Sequence, residues 1–160
     1  MLIVLAGFAF VCFEIWGRRS HKHRRVPLAD LERFFDALLK RGFNGGFMVI
    51  EVPKTSVFIQ FSKYILKKGH VGLQLDFPLV PWSEKYRESL RHELSKAGFD
   101  FRLTAGSDGT EFVTVDLGQN IGRCVAVAKL VLQCVFGLAQ DQKVNVYFEN
   151  ISPRQEAIGF

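Results

Sequence analysis

Residues 56–76 read SVFIQFSKYILKKGHVGLQLD, and their alternation decides the fold class. In an extended chain Val57, Ile59 and Phe61 fall on one face, and Phe58 and Gln60 on the other. Lys67-Lys68-Gly69 supplies a turn, after which Val71, Leu73 and Leu75 alternate with Gly72, Gln74 and Asp76. Upstream, Gly45-Gly46 punctuates the chain, Phe47 to Val52 reads as a strand, and Pro53-Lys54-Thr55 turns it into Ser56. Three strands joined by short turns predict an antiparallel meander.

Helical spacing flanks the meander. Leu31, Phe34, Phe35, Leu38 and Leu39 follow Asp30 as N-cap and stop at Gly42. Pro78 and Pro81 interrupt the strand pattern, and Ser83 caps a second helix whose stripe is Tyr86, Leu90, Leu94 and Ala97, ending at Gly98. Gly106-Ser107-Asp108-Gly109 predicts a hairpin between strands at Phe99–Thr104 and Glu111–Val115. A third helix is expected from about Gln119 to Leu138; its many valines mean that burial, rather than propensity, must hold it. Val144, Val146 and Phe148 alternate in a further terminal strand, and the tail from Pro153 reads as frayed.

A hydrophobic content of 48% with sixteen Phe excludes a disordered chain, and 160 residues suit a single domain. The net charge of +5 is local. Arg18, Arg19, Lys22, Arg24 and Arg25 carry it, whereas positions 26–160 hold sixteen Lys/Arg against fifteen Asp/Glu. That near-neutral body lacks the basic face of a nucleic-acid binder. Cys12, Cys124 and Cys134 form no disulfide framework and no C-x-x-C pair, which suits a reducing compartment.

Leu2 to Phe13 is uninterrupted apolar sequence, extended by Ile15 and Trp16 past Glu14. A signal peptide would carry positive charge before such a run and small residues at a cleavage site, whereas no charged side chain precedes Leu2 and the run ends in Phe13, Glu14, Ile15 and Trp16. The run therefore reads as a short transmembrane anchor over 1–17, and the trailing charges place the remainder in the cytoplasm. Trp16, Arg18, Arg19, Lys22, Arg24 and Arg25 are expected at the membrane interface, within a basic linker at 18–27. This predicts a single-pass inner-membrane protein with a domain at 28–150 and a flexible tail at 151–160.

Candidate chemistry is thin. His70 opens a strand and His92 lies on a helix, each without a visible partner, so both read as surface histidines. His21 and His23 fall in the basic strip and do not read as a metal pair. Glu51 and Asp76 form a conceivable carboxylate pair at uninformative spacing, and Asp116 reads as a turn or cap residue. The glycines of Gly42-Phe43-Asn44-Gly45-Gly46 lack the Lys-Ser/Thr of a phosphate loop and precede a strand. No catalytic residue, cofactor or metal site is expected.

The order helix, three strands, helix, two strands, helix resembles the type III secretion chaperone-like superfamily, including the YbjN-like proteins. The residues that carry it are Val57-Phe-Ile-Gln-Phe61, Gly72-Leu-Gln-Leu-Asp76, Lys96-Ala-Gly-Phe99 and Val125-Ala-Val-Ala-Lys-Leu-Val-Leu132, within roughly 28–138. The resemblance implies a non-enzymatic, often dimeric, protein-binding module. The anchor, the basic pI and the extra terminal strand depart from it.

The expected fold is thus α+β: an antiparallel sheet with helices packed mainly on one face, in the order α-β-β-β-α-β-β-α, behind one transmembrane helix. Strands with large side chains on both faces imply that one face or edge receives another chain, a client or a second copy. Phe58, Gln60, Phe77 and Trp82 are the residues expected to bind it. The alternative is a membrane-protein scaffold acting through its span, with Glu14 as a polar contact.

Overall fold

The computed structural model describes residues 21–152. Among them the elements run β1 (His21–Pro27), α1 (Leu31–Arg41), β2 (Gly42–Glu51), β3 (Phe58–Ile65), β4 (Val71–Leu79), α2 (Arg87–Lys96), β5 (Arg102–Ala105), β6 (Glu111–Gly118), α3 (Ile121–Leu130) and β7 (Lys143–Ile151). The strands form one antiparallel sheet ordered β1-β7-β2-β3-β4-β6-β5. The α+β class and the meander β2-β3-β4 agree with the alternation of residues 47–76. The element order differs in that a strand precedes α1, while the further terminal strand expected at Val144–Phe148 is β7, inside the sheet.

Three parts of the sequence reading need correction. His21–Pro27, expected as a basic linker, is an edge strand paired with β7. Charge concealed this, because an edge strand tolerates Lys and Arg on positions that face water. A bulge between His23 and Val26, with Arg25 at φ 57°, twists that edge and disfavours further pairing. Second, Ile151 still pairs with Gly42, so the sheet outlasts the expected boundary at 150. Third, no helix among the described residues is long and apolar enough to cross a membrane. The single-pass inner-membrane placement and the transmembrane part of the fold class therefore do not stand. The run at 1–17, where the sequence places that span, lies outside the described residues.

Strand pairing sorts the side chains cleanly. Met48 sits opposite Phe61 and Phe148, Ile50 opposite Ile59 and Val146, Leu75 opposite Phe61 and Val115, and Phe77 opposite Val113. All of these belong to one buried core, closed by Phe34, Phe35 and Leu38 of α1, Leu90 and Leu94 of α2, and Val127 and Leu132 from α3 and its continuation. The three helices thus share one face of the sheet. Each fully buried Leu, Ile or Phe contributes about 1.5–3 kcal/mol of transfer free energy.

Local signals set the ends of these helices. Asn120 caps α3, its side chain accepting from the Arg123 N–H at 3.0 Å. The helix continues as a π turn at Val131–Val135, where the Phe136 N–H reaches back to the Val131 carbonyl at 2.9 Å. That turn lays Phe136 on Phe77 and Tyr86, at ring distances of 6.0 and 5.0 Å. Asp30 and Ser83, the expected caps, make no side-chain cap bond. Ser83 instead ties the corner after β4, donating to the Pro78 carbonyl at 2.5 Å and accepting from Val80 N–H at 2.9 Å.

Lys63 is the exception on the core face. It pairs with Leu73, is buried, and donates from Nζ to the Leu39 carbonyl at 2.5 Å, near the C-terminal end of α1. The last turn of a helix leaves carbonyls without intrahelical donors, and a cation there also meets the favourable end of the dipole. Burial lowers the Lys63 pKa.

Candidate functional site

The opposite face of the sheet carries no described helix. One row of side chains crosses it in register: Lys22 on β1, Tyr147 on β7, Val49 on β2, Gln60 on β3, Asp76 on β4, Thr114 on β6 and Arg102 on β5. Neighbouring positions on this face are Glu51, Phe58, Ser62, Gln74, Phe112 and Asp116, as the same registers require. Apolar and polar side chains are interleaved on it.

The polar ones satisfy each other in two networks. On β2 and β7, Tyr147 donates to Glu51 at 2.6 Å and the Asn145 amide donates to the same carboxylate oxygen at 3.1 Å. Lys22 Nζ stands 4.7 Å from the centre of the Tyr147 ring. Burial first, and then the neighbouring Glu51 carboxylate, pushes the Tyr147 phenol up to about 12. On β3, β4, β6 and β5, Ser62 donates to Asp76, the Gln74 amide donates to it at 2.8 Å, the Thr114 hydroxyl donates to it at 3.4 Å, and the Thr104 and Thr114 hydroxyls share a hydrogen bond at 2.8 Å. Desolvation pushes Asp76 up to about 6, against the hydrogen bonds from Ser62, Gln74 and Thr114, which lower it. Tyr64 donates to Asp116 at 2.7 Å, and burial, followed by that bond, raises its phenol to about 12.

At one end of the face Phe58 meets Trp82, with ring centroids 5.1 Å apart, both half-buried. Gln60 lies on this face and is buried between Val49 and Asp76. Phe77 is placed differently from the sequence expectation. It has no exposed surface, shares the core face with Leu73 and Leu75, and touches Trp82 only edge-on at 6.1 Å. The alternation runs unbroken through β4 to Phe77, because Pro78 occupies a strand position opposite Phe112 and does not break the register. Phe77 is therefore a core residue.

Of the basic cluster, Lys22, Arg24 and Arg25 lie exposed on β1, with the Arg25 N–H donating to Asn145 at 3.3 Å. Trp16, Arg18 and Arg19 lie outside the described residues. Glu51 and Asp76 share the face that carries no described helix but belong to separate networks. His70 and His92 are exposed, in the β3–β4 turn and on α2. No group of three His, Cys, Asp or Glu that could hold a metal occurs among the described residues. Cys124 is buried, and burial raises its thiol to about 12, while Cys134 is exposed. A groove beside α1 is lined by Arg33, Phe34, Arg41 and Phe148, but Arg33 pairs with Asp30 at 3.4 Å and Arg41 grips the Ser152 carbonyl at 2.7 and 3.1 Å.

Sequence reasoning missed the Ser62–Asp76–Thr114 and Tyr147–Glu51 networks. Polar residues alternating with apolar ones were legible, but the partners lie on strands 14 to 96 positions apart. Compared with known proteins, the chain matches no family model, no curated protein and no solved structure.

Proposed function

We propose that this domain is a non-enzymatic, chaperone-like module that binds a segment of another protein on the sheet face that carries no described helix. One observation carries the reading: all three described helices lie on one side, and the other side presents an aromatic pair, Phe58 and Trp82, beside a hydrogen-bonded polar field. Half-buried aromatics at the margin of such a face supply contact area at low entropic cost, while satisfied polar groups add no desolvation demand. The order from α1 to α3 resembles the type III secretion chaperone-like superfamily, and protein binding is the function that resemblance proposes. Ser62 and Asp76 form a hydroxyl–carboxylate pair, but a nucleophilic site also needs a base and a charge-stabilising group beside it.

Substituting Phe58 tests the proposal, since its neighbours Ile59 and Phe61 belong to the core and Phe58 itself does not. Phe58→Asp is expected to abolish capture of client polypeptides from extract while circular dichroism and the urea midpoint stay near wild type. A folded Phe58→Asp protein that captures every client as wild type does would refute the proposal.

A further inference from the structure

Among the described residues, the large apolar side chains left exposed are Phe43, Ile65, Leu66 and Leu103. The first three lie at one end of the sheet, where β2 begins and the β3–β4 hairpin turns. Asn44, next to Phe43, accepts from the Ile65 N–H at 2.9 Å and so fastens the two segments to each other. Their exposure is built into the backbone. A bulge between Gly42 and Phe47 re-aims the start of β2, with Gly45 at φ 81°. The Asn150 amide donates to the Asn44 carbonyl at 3.3 Å, and the Ser152 N–H donates to that of Arg41 at 2.9 Å. Phe43, 56% exposed, therefore projects from a pinned loop. Beside it, the Leu66 N–H donates to the His70 carbonyl at 2.7 Å and closes the hairpin around Lys67, Lys68 and Gly69.

We propose that this end of the domain docks on the surface of an anionic lipid bilayer, as a contact of side chains with the interface and without a span. Two properties select lipid. The first is charge. Residues 42–46 and 64–72 contain no Asp or Glu, and Lys67 and Lys68 follow directly on Ile65 and Leu66. Both lysines are exposed, and neither joins an ion pair among the described residues. The second is arrangement. The three apolar groups stand on strand ends and a turn, so a protein partner would need a matching hollow to cover them. A bilayer needs none: the apolar groups enter the boundary between headgroups and acyl chains, while the lysine stems lie along it and their ammonium groups reach the phosphates. Phe58 and Trp82, the aromatic pair assigned to the client, lie at the opposite ends of β3 and β4, so one molecule can make both contacts. Leu103, paired with Val113 on the edge strand β5, lies apart from the cluster.

A nitroxide at residue 66 gives the test, in the full chain carrying Cys12→Ser, Cys134→Ser and Leu66→Cys. A second chain with Leu103→Cys in place of Leu66→Cys is the comparison, and the buried Cys124 takes no label in either. On vesicles of equal parts phosphatidylglycerol and phosphatidylcholine, the label at residue 66 is expected to become accessible to oxygen and shielded from a water-soluble nickel chelate. The label at residue 103 should stay in water. Adding Lys67→Gln and Lys68→Gln should lower the ratio of lipid-exposed to water-exposed label at residue 66 at least about tenfold, whereas Lys67→Arg with Lys68→Arg should preserve it. A label at residue 66 that stays in water beside the mixed vesicles would overturn the proposal, as would equal immersion in phosphatidylcholine alone. So would shielding by soluble polyglutamate and not by vesicles, which would make the partner an acidic protein. Client capture plays no part in this measurement, so this proposal and the proposed function can fail separately.

Discussion

The ring of Tyr64 lies directly over Gly72 of the facing strand, and its hydroxyl donates to Asp116 beyond. A Cβ at residue 72 would fall inside the Tyr64 hydroxyl group. The glycine is therefore a seat for the tyrosine, and the pair bridges β3 to β6 across β4.

Gly72→Ala is expected to displace the ring and break its bond to Asp116, costing about 1–3 kcal/mol. In a Tyr64→Ala background the same change should cost little, giving a coupling of about 1 kcal/mol or more. Urea melts of the four proteins measure it. Additive effects would mean that the contact carries no energy.

Asp76 gives the fold a pH dependence. Its pKa is about 6 in the folded chain against 3.8 ordinarily, so between these values the folded chain holds a proton that the unfolded chain has lost. The contribution is full below about pH 4 and is lost as pH rises through 6, a change on the order of 3 kcal/mol. Asp76→Asn keeps an acceptor for Ser62 and Thr114 and removes the titration. Its stability relative to wild type should therefore rise between pH 4 and pH 8. An unchanged difference across that range would show that Asp76 is not desolvated.

Lys63 holds the end of α1 from beneath. Lys63→Ala leaves the Leu39 carbonyl without its donor and opens space on the core face, for an expected loss of about 2–4 kcal/mol. Exchange of the amide protons of residues 39–42 should accelerate more than that of α2. Equal acceleration in both helices would mean that the lysine acts only through packing.

Phe77 and Phe58 separate core from surface. Phe77→Ala is expected to cost about 3–5 kcal/mol, with Phe136 and Trp82 losing their contact. Phe58→Ala should cost under about 1.5 kcal/mol, because Phe58 is only half-buried. Thermal melts of both variants decide it, and equal losses would place Phe58 in the core too.

What the sequence determined by itself was whatever one segment's own periodicity encodes. Alternation at Val57–Phe61 and Val71–Leu75 required strands, and the spacing of Phe34, Phe35 and Leu38 required a helix with a buried face. What only tertiary structure decided depended on partners distant in the chain. His21–Pro27 has the composition of a linker and becomes a strand because β7, some 120 residues later, offers its hydrogen-bonding edge. Phe77 joined the core because pairing with Val113 kept the alternation of β4 intact up to Pro78, where local rules predict a break. Asp76, Ser62 and Thr114 looked like ordinary outward polar residues; a network exists only once β3, β4 and β6 lie side by side. Periodicity is a property of one segment, whereas pairing and burial are properties of the assembled sheet.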